Sequence, residues 1–132
     1  MIIITVPGNP VGKQRPRMTK KGIAYTPKET VSYENWVKTC FLNQEGKMLE
    51  GELKAEIICY YSISKSTSKK KAAEMREGII KPTKKPDLDN IAKIILDSLN
   101  GMAYKDDSQV VELSIKKLYG EQPLVKLFLE EI

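Results

Sequence analysis

The stretch KPDLDNIAKIILDSLNGMAYKDDSQV, residues 85–110, constrains the fold more than any other part of the chain. Leu88, Ile91, Ile94, Ile95, Ser98 and Leu99 recur at i, i+3, i+4 spacing, which predicts an amphipathic helix with one face in a core. Asp87 stands at the N-cap position, and Asn100-Gly101 supplies a C-terminal stop. Asp87, Asp89, Asp97, Asp106 and Asp107 lie on this helix or at its ends, although the net charge of the chain is +5. An account of the protein has to find a use for that acid.

The segments around the helix set its context. MIIITV reads as a short buried strand ended by Pro7-Gly8. GNPVGKQRPRMTKKG reads as a basic loop, and IAY as a short extended piece. TPKETVSYENWVKTCFLNQ predicts a helix with Thr26 as N-cap, Pro27 in the first turn and Glu29 closing a capping box. Its apolar face is read as Val31, Trp36, Val37, Cys40 and Phe41. ELKAEIICYYSIS predicts a strand with Leu53, Ala55, Ile57 and Cys59 on one face. A polar helix is expected from about Ser68 to Gly78, then a basic connector, IIKPTKKP. The closing segments, QVVELSIKKLYG and PLVKLFLEEI, are expected to pair as an antiparallel hairpin around Gly120–Pro123. The order β-loop-α-β-α-α-β-β predicts an α+β (mixed α/β) fold, a small mixed sheet packed with helices, in a single domain over residues 1–132.

Composition excludes several chemistries. There is no histidine, so Ser-His-Asp and Cys-His catalysis and histidine-ligated zinc are absent. Cys40 and Cys59 have no metal-type spacing and are expected to be buried, reduced thiols. No apolar run reaches membrane-spanning length and MIIITVPG lacks the form of a signal peptide, so a cytoplasmic protein is expected.

The charge is unevenly divided. Residues 1–86 carry a balance of +9 and residues 87–132 a balance of −4. A basic first part points to a polyanionic partner. Lys13, Arg15, Arg17 and Lys20 in the loop, with Lys84 and Lys85 in the connector, are the candidate contacts to it. Lys69, Lys70 and Lys71 read first as a solvated helix face. An acidic patch in such a protein repels the partner unless a cation bridges them.

The aspartates admit two readings. They cap the helix and suit its dipole, or they hold a metal. A calcium loop fails, because Ala92 stands where the turn needs glycine and Ser98 where the bidentate glutamate belongs. Asp89 and Lys93 are i, i+4 neighbours, which leaves Lys93 either ion-paired on the helix surface or free for substrate. Asp97 reads as a solvated helix-face residue. The YKDD segment reaches Asp87 and Asp89 only if the chain doubles back after Gly101. An all-carboxylate cluster of that kind suits Mg²⁺ or Mn²⁺, and such ions activate water against a phosphodiester.

PGNPVGKQRPR, YTPKET, KPDLDNIAKIILDSLNGMAYKDDSQV and the closing strands, in that order, resemble the RusA-type Holliday-junction resolvases, a family of structure-selective endonucleases. The resemblance implies a Mg²⁺-dependent homodimer, with Mn²⁺ as a substitute, that nicks four-way DNA junctions symmetrically. It implies that Asp87, Asp89 and Asp107 are catalytic metal-binding carboxylates, that Asp106 supports them at the metal, and that Lys93 is an essential lysine. Two other readings remain: a non-catalytic DNA-binding module, and a nuclease preferring other branched DNA.

Overall fold

The computed structural model describes all residues, Met1–Ile132. Its elements are β1 (Ile2–Pro7), β2 (Arg17–Met18), β3 (Ala24–Tyr25), α1 (Lys28–Gln44), β4 (Leu53–Ser62), α2 (Lys69–Arg76), α3 (Leu88–Ser98), a 3₁₀ turn (Asp107–Gln109), β5 (Val110–Gly120) and β6 (Leu124–Glu131). The fold is α+β, as the order of segments predicts. No helix is long and apolar enough to cross a membrane.

Four strands form one mixed sheet in the order β1-β6-β4-β5, and β2 and β3 form a separate small ribbon. The expected C-terminal hairpin is not made. β5 pairs in parallel with β4, and β6 pairs antiparallel with β4 on its other side. The turn after Gly120 therefore steps over the end of β4. The reason lies in β4, whose Leu53, Ala55, Ile57 and Cys59 are fully buried. A strand this apolar takes the sheet centre and is covered on both edges, while β5 takes an outer edge with Val111 and Leu113 exposed.

One face of the sheet is packed by α1 and α3. Ile91, Ile94, Ile95 and Leu99 of the α3 segment meet Ile4, Val6, Leu127 and Leu129 in one cluster of buried residues. Each fully buried side chain of this size stabilises by about 1.5–3 kcal/mol. The α3 periodicity is thus realised as read, and both cysteines are buried and free.

Helix α1 differs from its sequence reading at two points. It begins at Lys28 with Pro27 at the cap position, and no side chain caps it, so Thr26 makes no capping box. Its buried face is Thr30, Tyr33, Val37, Cys40 and Phe41, while Val31 and Trp36 are exposed. Hydropathy ranking hides this face because Thr30 is polar. Its hydroxyl is satisfied in place, accepting from the Gln14 N–H at 3.3 Å and donating to the Gln14 side chain at 3.2 Å. Trp36 donates its indole N–H to the Pro7 carbonyl at 2.8 Å instead of entering the core. Helix α2 starts as read, with Ser68 accepting from the Lys71 N–H.

Candidate active site

Helix α3 carries the site, and its entry is unusual. Asp87 occupies the N-cap position, but its side chain makes no capping bond. Its carboxylate instead faces outward, 3.0 Å from the Lys85 ammonium. Both groups are largely exposed, so this pair is weak and easily rearranged. Asp89 in the first turn is exposed and forms no ion pair within 4 Å. Two carboxylates are thus held at the positive end of a helix without being consumed by it.

The basic loop lies directly against them. Lys13, Arg15, Arg17, Asp87, Asp89 and Asn90 line one open polar cleft of about 600 Å³. The loop reaches this position because Gly12 has no side chain. A Cβ there would meet the Cβ atoms of Pro86 at 2.9 Å and Asn90 at 3.1 Å. The Lys13 N–H then donates to the Asn90 carbonyl at 2.8 Å. Arg15 and Arg17 are exposed and unpaired, and Lys20 lies beyond them on the ribbon turn, also exposed.

Lys13 itself has a different setting. Its ammonium is 2.8 Å from Glu34 of α1 and 3.5 Å from Asp97 of α3. Burial disfavours its charge, yet the two carboxylates together outweigh this and raise its pKa. Lys93 is exposed and pairs with neither Asp89 nor Asp97, so its ammonium is free to meet a substrate. Lys84 lies over the Tyr61 ring at 5.4 Å, and the Lys117 ammonium donates to the Lys84 carbonyl.

The chain does double back after α3. Gly101 adopts a left-handed conformation with φ +76°, Tyr104 bridges back to Asn100, and the Tyr104 hydroxyl donates to the Leu96 carbonyl at 2.5 Å. Tyr104 is fully buried, and burial with nearby Asp107 and Asp97 pushes its phenol upward. The turn is tight, so Asp107 lands beside the C-terminal end of α3. Its N–H donates to the Asn100 side chain at 2.7 Å. Burial, a hydrogen bond with Asp97 and the charge of Asp106 raise the Asp107 pKa. Asp106 caps the 3₁₀ turn through the Ser108 N–H, which lowers its own pKa.

This placement corrects the reading of Asp97. Asp97 is not merely solvated, since it contacts both Lys13 and Asp107. Asp89 sits two helical turns before Asp97, roughly 12 Å along the axis at about 1.5 Å per residue. No three acidic side chains are gathered closely enough to hold a metal by themselves. The structure leaves two separate groups: Asp87 with Asp89 at the start of α3, and Asp107 with Asp97 at its end, the Asp106 carboxylate being turned to the Ser108 N–H.

The donor set still fits a hard divalent cation. Mg²⁺ commonly binds through one or two carboxylates and completes its shell with waters and substrate phosphate. Asp87, in its weak exposed pair with Lys85, and the unpaired Asp89 offer two carboxylates in the cleft that Arg15 and Arg17 also line.

The family model described as Endodeoxyribonuclease RusA matches residues 7–130. The chain belongs to the RusA endodeoxyribonuclease family. The match takes in the basic loop, α3 and the returning turn. The chain is also 34% identical, over 137 aligned positions, to the uncharacterized protein YqaN of Bacillus subtilis strain 168, covering 99% of this chain and 96% of that protein. The family is one of endodeoxyribonucleases. Membership in it agrees with the resemblance read from PDLDN, Lys93 and the paired aspartates. The sequence reading missed Glu34 and Asp97 as partners of Lys13. Their spacing on two different helices left no local signal of it.

Proposed function

We propose that the protein is a divalent-metal-dependent endonuclease that resolves four-way DNA junctions by paired symmetric nicks. The observation that carries this reading is the cleft in which Asp87 and Asp89 face Arg15 and Arg17. A binding module would gain nothing from placing two uncapped carboxylates where phosphate must lie. A metal-dependent nuclease needs both charges there.

In this reading Asp87 and Asp89 hold Mg²⁺, with Mn²⁺ able to replace it. When bound, the ion supplies charge stabilisation at the scissile phosphate and a more acidic water. Arg15 and Arg17 hold the flanking phosphates. Lys20, Lys84 and Lys85 are assigned to further DNA contacts, and Lys85 can leave Asp87 for phosphate at small cost. Lys93, one helical turn after Asp89, offers its free ammonium to the charge that develops on the leaving oxygen. Asp107, held beside the far end of α3 by its bond to Asn100 and preceded on the same turn by Asp106, is the third carboxylate this reading assigns to catalysis.

A four-way junction must be cut on two strands, and a two-fold dimer places equivalent sites on equivalent strands. The protein therefore acts as a homodimer. The test is cleavage of a labelled four-way junction against linear duplex of the same arm sequence, with Mg²⁺ or with EDTA. Paired nicks in the junction alone, abolished by EDTA, support the reading. Equal cutting of duplex favours a nuclease of other preference. Junction binding without any cutting favours a non-catalytic module.

A further inference from the structure

We propose that Lys13 is a positioning residue that latches the basic loop onto α1 and α3, so that Arg15 and Arg17 are presented to the phosphates beside Asp87 and Asp89. The inference rests on the cleft's reading as a DNA-cleaving site. It departs from the expectation that Lys13 itself binds phosphate.

Three consecutive residues are fixed, each by a different contact. Gly12 lies against Pro86 and Asn90 with no space for a Cβ. Lys13 bonds through its N–H to Asn90 and through its ammonium to Glu34 and Asp97. Gln14 bonds through N–H and side chain to the buried Thr30. Immediately afterwards, Arg15 and Arg17 are exposed and make no ion pair. The change from anchored to free side chains falls between positions 14 and 15.

The charges agree with this division. The Lys13 side chain is 21% exposed, and its partners Glu34 and Asp97 are 17% and 28% exposed. To reach a phosphate, the ammonium would abandon two partly buried carboxylates. Breaking one side of such a pair leaves uncompensated charge, which is costly. Arg15 and Arg17 face no such cost. Lys13 also neutralises two acids that would otherwise repel the DNA backbone.

The reading predicts the sign of an unusual variant. Glu34→Gln removes a negative charge near the DNA surface, so electrostatics alone would tighten junction binding. If Glu34 serves the latch, binding weakens instead. Lys13→Met, Glu34→Gln and the double variant are compared for equilibrium binding to a four-way junction. Amide exchange at positions 13 and 14 is followed in the DNA-free proteins. Each single change should weaken binding and speed exchange about tenfold, as expected for loss of one strong, partly buried bond. The double variant should be no worse than either single, and Lys13→Arg should retain most of the wild-type affinity. Tighter binding by Glu34→Gln with weaker binding by Lys13→Met would overturn the proposal and make Lys13 a phosphate contact. Unchanged exchange in both variants would overturn it equally. If the wild-type protein binds no branched DNA, the functional reading fails, and the exchange measurement still decides whether the latch exists.

Discussion

The Asp107 N–H donates to the Asn100 side chain at 2.7 Å. This one bond joins the end of α3 to the paired aspartates that follow it. It fixes where the returning chain delivers its carboxylate, because Asn100 sits at the helix stop and Asp107 opens the 3₁₀ turn into β5. Asn100 was legible only as a helix terminator, yet the structure gives its side chain a second use.

Asn100→Ala should therefore slow single-turnover junction cleavage by about tenfold, roughly the value of one well-formed hydrogen bond between neutral groups. Junction affinity should stay near wild type, since no cation is lost. A variant that cuts at the wild-type rate would detach Asp107 from the site.

The proposed reading has Arg15 and Arg17 bind phosphate and Lys93 assist the chemistry. Neutralising both arginines should weaken binding and reduce the salt slope, log Kd against log salt, by about 2, at about 0.9 per phosphate contact. Lys93→Ala should mainly lower the cleavage rate at saturating protein. Equal effects of the two changes on affinity and on rate would contradict the division.

Assembly is testable with mixed dimers. A dimer of one wild-type and one Asp89→Asn subunit should bind junctions normally and leave one of the two strands uncut. Sedimentation showing a monomer both free and on the junction, with both strands still cut in one binding event, would rule out the dimer.

Burial pushes the Cys59 thiol up to about 12 from 9.0, the Lys117 charge opposing, and burial with Cys59 pushes the Tyr61 phenol up to about 12 from 10.0. Both groups hold their protons more tightly in the folded chain than in the unfolded one. Their contribution to stability is therefore constant below pH 9 and falls as pH rises from 9 toward 12. The urea midpoint should drop between about pH 8 and pH 10.5, and thiol reagents should label Cys40 and Cys59 only on unfolding. An unchanged midpoint with rapid native labelling would show that β4 is not closed.

Much of this fold is written locally. The α3 periodicity, the Ser68 cap and the one-faced apolar pattern of β4 each follow from spacing within one segment, and each was realised. The C-terminal pairing was not legible, because two strands joined by a short turn look like a hairpin whether or not a third strand lies between them. Only the competition for the sheet centre, won by the more apolar β4, decides it. The α1 face was misread because the buried Thr30 takes its partner from Gln14, sixteen residues earlier. The candidate site was legible as residue types, since PDLDN and the paired aspartates are contiguous motifs. Its internal ion pairs, Lys13 with Glu34 and Asp97, arise from three separate segments and left no mark on any one of them.

The central claim is that the carboxylates of α3 and its returning turn carry metal-dependent cleavage beside a separate phosphate-binding loop. Single-turnover cleavage of a four-way junction in Mg²⁺, at saturating protein, tests it most directly with Asp87→Asn, Asp89→Asn and Asp107→Asn. The account predicts that each change abolishes cutting while junction affinity is kept or improved, because a negative charge near phosphate has been removed. Wild-type cleavage rates in all three would contradict it.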